Sequence, residues 1–322
     1  MTVSERTIAT NGIDLHVTEE GAGFPVILAH GFPELAYSWR HQLPALAAAG
    51  YHAVAPDMRG YGRTSRPDAL DDYDIIHLTD DLVGILDDLG HERAVFVGHD
   101  WGSMVVWTLA LRHPERVAGV VGMSVPFIPR SPAPTVQLLR QLFQGVFFYM
   151  VYFQQLGPAD ADLGRDPATT MRRLLASTRS EPGAVADPTA IADDGRGFVD
   201  RIPEPDGLPS WLSQDELDHY VAEFTRTGFT GGLNWYRNLD RNWELTADLA
   251  GATVQVPSLF IGGTHDPVLT MSPPAAMDEF VTDHRGTVLV EGAGHWVQQE
   301  SPDEVNAALL DFLAGLDLTA VR

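Results

Sequence analysis

The chain has 322 residues, 44% of them hydrophobic, no cysteine, no lysine and a formal net charge of −23 at pH 7. That acidity argues against nucleic acid or an anionic membrane surface as a partner. The two missing residue types exclude thiol nucleophiles, disulfides, cysteine-held zinc or iron–sulfur centres, Schiff-base lysines and the lysine of a P-loop.

No apolar run reaches the ~18 residues of a membrane span. "MTVSERTIATNGIDLH" lacks the apolar centre of a secretory signal, so a cytoplasmic protein is expected. "TIATNGIDLHVTEEG" predicts a hairpin turned at Asn11-Gly12, a pair that tolerates the positive φ of a tight turn. "PVILAHG" and "YHAVAPD" predict buried strands, with the helix "SWRHQLPALAAAG" between them closed by Gly50. "LTDDLVGILDDLG" sets Leu82, Val83, Leu86 and Leu89 on one helical face and ends at Gly90. The strand "RAVFVGHD", the helix "WGSMVVWTLALRH" and the strand "RVAGVVGMSVP" follow. Such alternation predicts an α/β fold with a mostly parallel sheet.

The pattern changes past Pro126. "PFIPRSPAPTVQ" is a proline-rich linker, and from there to about residue 245 no strand is convincing. "VQLLRQLFQGVFFYMVYFQQLG" predicts one long apolar-faced helix. "SQDELDHYVAEFTRTG" predicts another, with Ser213 and Glu216 at capping-box spacing. Residues 178–210 are rich in Pro, Gly and Asp and are expected to shape the mouth of a cleft. Alternation resumes with the strands "VPSLFIGGTHD" and "GTVLVEGAGH". Helix starts are predicted at Ser272-Pro273 and Ser301-Pro302, the latter with Glu304 at capping-box spacing.

An open parallel sheet binds ligands beyond the carboxyl ends of its strands, and the reactive residues fall there. His30-Gly31-Phe32-Pro33 follows "PVILA", Asp100 follows "RAVFVGH", Asp266 follows "SLFIGGTH" and His295 follows "TVLVEGAG". Nucleophile, acid, histidine is the α/β-hydrolase order. Gly98-His99-Asp100-Trp101-Gly102 has the spacing of that fold's strand-to-helix elbow, with aspartate in the nucleophile's place. Taken singly, Asp100 also suits a helix N-cap, Asp266 a turn before Pro267, His295 a buried structural histidine, and His99 simple packing beside the elbow. "DMRGYGRTSRP" at 57–67 reads as structural.

These residues resemble the soluble epoxide hydrolases of the α/β-hydrolase fold over essentially the whole chain. The resemblance rests on "HGFPE" at 30–34, "GHDWG" at 98–102, "YMVYFQ" at 149–154, "LNWYRN" at 233–238, "THDPVL" around Asp266 and "GAGHWVQ" around His295. It implies an α/β-hydrolase core from residues 1–125 and 246–322, a helical cap at 126–245, and hydrolysis of a small apolar epoxide by water to a vicinal diol. Free aspartate, with a pKa of about 3.9, is ionised at neutral pH and can attack the strained carbon directly to form an ester.

The resemblance makes Asp100 that nucleophile and Tyr149 and Tyr236 the donors to the leaving oxygen. His295 activates the hydrolytic water, with Asp266 orienting it. The backbone N–H groups of Phe32 and Trp101 form the oxyanion hole, and Phe32, Trp101, Trp235 and Tyr152 line the cleft. Tyr149 and Tyr152 stand three apart, so spacing leaves either free to face the cleft; the resemblance selects Tyr149, the first position of Y-x-x-Y-F-Q. It also implies a cis Phe32-Pro33 peptide and no metal or organic cofactor, and it leaves room for a homodimer. The alternatives are a haloalkane dehalogenase using the same aspartate and a non-catalytic ligand-binding member of the fold.

Overall fold

The computed structural model describes residues 3–178 and 193–318. β1 (Ser4–Thr10) and β2 (Ile13–Gly21) form the expected hairpin, with Asn11 and Gly12 at φ 45° and 76°. β3 (Pro25–Ala29), β4 (His52–Pro56), β5 (Ala94–His99), β6 (Val117–Met123), β7 (Ser258–Gly263) and β8 (His284–Val290) complete an eight-stranded sheet. The order is β1-β2-β4-β3-β5-β6-β7-β8. β2 runs antiparallel to β1 and β4, and every later pair is parallel.

The central strands are apolar on both faces because helices cover both. Along β3 and β5 the side chains alternate between two cores. Ile27, Ala29 and Phe96 join one core, and Val26, Leu28, Val95 and Val97 join the other. Each fully buried Val, Leu, Ile or Phe among them stabilises the fold by roughly 1.5–3 kcal/mol.

α1 (Gln42–Ala48), α2 (Ile75–Asp88) and α3 (Trp101–Arg112) connect the early strands. Among the described residues, seven α-helices lie between β6 and β7: α4 (Thr135–Leu142), α5 (Tyr149–Tyr152), α6 (Pro158–Gly164), α7 (Pro167–Ser177), α8 (Gln214–Thr227), α9 (Thr230–Arg237) and α10 (Leu239–Leu245). α11 (Pro267–Met271), α12 (Val297–Glu300) and α13 (Pro302–Ala314) complete the described chain. No helix among the described residues is long and apolar enough to cross a membrane.

Three expectations fail or are met only in part. The single long helix over 136–157 is broken: α4 stops at Leu142, Gly145 takes φ 82°, and α5 is one turn long. Phe143 and Phe148 stack across the break at 3.9 Å, a contact a continuous helix would prevent. The Ser301/Glu304 capping box does not form, although α13 starts there; Ser301 makes no side-chain cap, and Pro302 begins the helix by its fixed φ. At Ser272-Pro273 only a short 3₁₀ turn follows, Pro274–Met277. The Ser213/Glu216 box is present. Of the loose stretch at 178–210, residues 179–192 lie outside the described residues.

Candidate active site

The elbow is built by steric necessity. A Cβ on Gly98 would collide with the Gly102 carbonyl, and one on Gly102 with the Ala29 carbonyl, so glycines let α3 pack directly on β5 and β3. Asp100 between them sits at φ 52°, ψ −119°, and its N–H donates to the Met123 carbonyl at 3.2 Å. It occupies the N-cap position of α3 but makes no side-chain cap. Its Oδ1 instead accepts the Phe32 N–H at 2.8 Å, and Oδ2 lies 3.5 Å from His295 Nε2.

The Phe32 amide is aimed by its loop. The Phe32-Pro33 peptide is cis, as expected. Glu34 N–H closes a turn onto the Gly31 carbonyl at 3.0 Å. His30 Nε2 accepts the Met58 N–H at 2.9 Å, so its Nδ1–H donates to the Gly31 carbonyl, also at 2.9 Å. Trp101 opens α3, whose N-terminal positive end lies beside the Asp100 carboxylate.

His295 lies in the segment between β8 and α12, and its Nδ1 meets both Asp266 oxygens at 3.1 Å. Asp266 also accepts the Val268 N–H at 2.9 Å and begins α11, so it combines the turn role with the contact to His295. Burial works against a charged His295, but the Asp266 and Asp100 carboxylates outweigh it and raise its pKa well above the ordinary imidazole value. Burial likewise disfavours ionised Asp266, yet His295 holds that carboxyl below its usual range.

His99 does more than pack. It and Glu34 are fully buried and joined through Nδ1 and Oε2 at 2.6 Å, while His99 Nε2 donates to the His295 carbonyl at 2.7 Å. Glu34 also accepts from Gly31 N–H at 3.1 Å, Gln298 Nε2 at 2.8 Å and Gln299 Nε2 at 3.1 Å. Burial opposes the charge on Glu34, but His99, then His30 and the Gly31 N–H, bring its pKa down to about 2. Nothing in "HGFPE" marks Glu34 out; a carboxylate four residues past His30 gives no hint that it lies beneath the elbow.

Helices α5 and α9 bring Tyr149 and Tyr236 together, ring centroids 5.9 Å apart. Tyr236 is buried, edge-on to Phe32 at 5.4 Å and to Trp101 at 5.1 Å. Burial and then the Asp100 charge raise the pKa of both phenols far above 10, so both are protonated donors at neutral pH. The structure does not bring Tyr152 to this group: its hydroxyl donates to the Pro158 carbonyl at 3.3 Å and approaches Asp162 at 3.5 Å. Trp235 stands behind the site, its indole N–H donating to the Arg59 carbonyl at 3.1 Å and its ring 6.0 Å from that of Trp101. In the 57–67 stretch, Asp57 accepts the Ala36 and Arg63 N–H groups and Arg59 pairs with buried Asp81. Among the described residues no group of three or more His, Asp or Glu could hold a metal ion.

The α/β hydrolase fold family matches residues 25–302. Epoxide hydrolase A of Mycobacterium tuberculosis is 60% identical over 98% of both chains, and epoxide hydrolase 3 of Siraitia grosvenorii is 44% identical over 95% of this chain and 97% of that one. The crystal structure of epoxide hydrolase A from Mycobacterium thermoresistibile superposes with a TM-score of 0.93 at 56% identity, covering 98% of this chain and 99% of that one. An epoxide hydrolase from an endophytic Streptomyces gives 0.92 at 40% identity, covering 97% and 96%. The chain belongs to the α/β-hydrolase family and, within it, to the epoxide hydrolases.

Proposed function

We propose that this protein hydrolyses epoxides to vicinal diols in two steps, through an ester on Asp100. The observation that carries the reading is the division of labour between the two oxygens of Asp100. Oδ1 is engaged by the Phe32 N–H and becomes the ester carbonyl, while Oδ2 faces His295 and attacks the epoxide carbon. As the C–O bond of the epoxide breaks, its oxygen takes a proton from Tyr149 or Tyr236, whose phenols are kept protonated beside the Asp100 charge. A proton donor suits an alkoxide leaving group; a halide needs none, which favours this reading over dehalogenation.

Esterification neutralises Asp100 and removes one of the two charges that hold His295 protonated. The imidazole then loses its proton more readily and serves as base for a water that attacks the ester carbonyl. Asp266 stabilises the imidazolium that forms, and the N–H groups of Phe32 and Trp101 take the tetrahedral oxyanion. Collapse releases the diol and regenerates both the carboxylate and, through the imidazolium, the phenol's proton. Residues 126–245 act as the cap that carries both donors over the core of 1–125 and 246–322.

A single turnover in ¹⁸O-labelled water tests this scheme. The second oxygen of the first diol comes from Asp100, so that diol is unlabelled and the label enters the carboxylate. A labelled diol in the first turnover means direct attack by water and contradicts it.

A further inference from the structure

We infer that Ser124 is a positioning residue for the water-activating step, its hydroxyl fixing the main chain that carries His295. The inference rests on the two-step reading above.

Ser124 is the first residue past β6, fully buried, with φ at +63°. That region penalises side chains other than Gly, Asn and Asp, and glycine would hold this backbone without strain. What serine adds is a hydroxyl, and it donates to the His295 carbonyl at 2.7 Å. The same carbonyl takes the His99 Nε2–H from the other side, so a segment outside any strand or helix is gripped at one atom by two donors.

Three loops of the site meet at this turn. Ser124 N–H donates to the Ile261 carbonyl at 2.9 Å, on the strand that leads to Asp266. The neighbouring Met123 carbonyl accepts the Asp100 N–H at 3.2 Å and the Val125 N–H at 2.7 Å. The Val125 carbonyl accepts Ser103 Oγ at 2.6 Å from α3. The backbone bonds of this turn survive removal of the hydroxyl, but the hold on the His295 carbonyl falls from two donors to one. Ester formation needs Asp100 and the tyrosines, whereas ester hydrolysis needs His295, so losing the hydroxyl falls on the second step.

Rapid mixing with an epoxide, resolving ester formation from ester hydrolysis, tests this in Ser124→Ala and Ser124→Gly. Misplacing a reacting group by up to about 1 Å slows a step by up to about 100-fold, and a smaller shift by about tenfold. Hydrolysis should slow by that much in both variants while ester formation stays within about threefold of wild type. Ser124→Gly should melt no lower than Ser124→Ala, because the left-handed backbone suits glycine; the second variant thus keeps the test intact if the first folds poorly. Wild-type hydrolysis in either variant, or equal slowing of both steps, overturns the inference. If the His295→Gln enzyme forms ester normally while Ser124→Ala hydrolyses it normally, only the role of Ser124 falls. If no ester forms in any variant or in wild type, the two-step reading falls with it.

Discussion

Asp100 stands where a helix N-cap would, but its carboxylate takes the N–H of Phe32, 68 residues earlier in sequence and 2.8 Å away, and leaves its own helix uncapped. One oxygen is thereby held by a backbone amide, and the other is left facing His295. A capping aspartate bonds the second or third amide of its helix; this one is turned outward to a loop from another strand. The contrast separates this carboxylate from one that caps its helix.

Asp100→Asn should keep the fold, since asparagine tolerates the positive φ of 52° found here. Removing the nucleophile should lower diol formation by about 10⁴-fold or more. A steady-state diol assay, with mass spectrometry to confirm that the amide persists, checks this. An intact amide with near-normal turnover would assign the chemistry elsewhere.

Tyr149→Phe and Tyr236→Phe should each slow ester formation about tenfold, and the double variant by about 10²- to 10⁴-fold, the range of a lost general acid. Tyr152→Phe should turn over like wild type, because its hydroxyl is spent on the Pro158 carbonyl and Asp162. Loss of activity in Tyr152→Phe with retention in Tyr149→Phe would reverse the assignment of the donor.

Glu34 should govern acid stability. Its pKa falls on folding from 4.5 to about 2, which corresponds to roughly 3 kcal/mol at about 1.4 kcal/mol per unit. A depressed carboxylate stabilises the fold above its unfolded pKa, so this contribution is present above about pH 4.5 and is lost as pH falls toward 2. Urea unfolding between pH 6 and about pH 3 should show a shallower loss for Glu34→Gln than for wild type. Parallel curves would mean that the pair contributes no pH-dependent stability.

His295 carries the opposite sign. Its folded pKa is raised, so its contribution is complete below the unfolded value of about 6.5 and is lost as pH rises through the folded one. The stability advantage of wild type over His295→Gln should therefore shrink as pH rises. Ester formation removes the Asp100 charge, so ester hydrolysis should titrate with an apparent pKa below that of His295 in the free enzyme. Nuclear magnetic resonance titration of the free enzyme and single-turnover kinetics give the two values. Equal values, or the reverse order, would break the link between esterification and release of the base.

Much of this molecule is legible in the sequence because its signals are local. The Asn11-Gly12 turn, the apolar strands and the Gly98-Gly102 spacing each follow from a few adjacent residues whose backbone demands are strict. The order of Asp100, Asp266 and His295 is legible because strand ends bring them to one edge of the sheet. What escaped reading depends on contacts distant in sequence. The break between α4 and α5 turns on Gly145 and an aromatic stack, where apolar periodicity alone argued for one helix. Glu34 reaches His99 across 65 residues, and Ser124 reaches His295 across 171. No periodicity encodes such pairs. The resemblance puts Trp235 and Tyr152 in the cleft, but their polar atoms bond the Arg59 and Pro158 carbonyls.

The ester on Asp100 is the centre of the account, and intact-protein mass spectrometry of His295→Gln after mixing with an epoxide tests it most directly. Without its base this variant should form the ester and fail to hydrolyse it, so the protein gains one substrate mass, and digestion locates the gain on Asp100. A His295→Gln enzyme that gains no mass from an epoxide the wild type turns over would contradict the covalent mechanism.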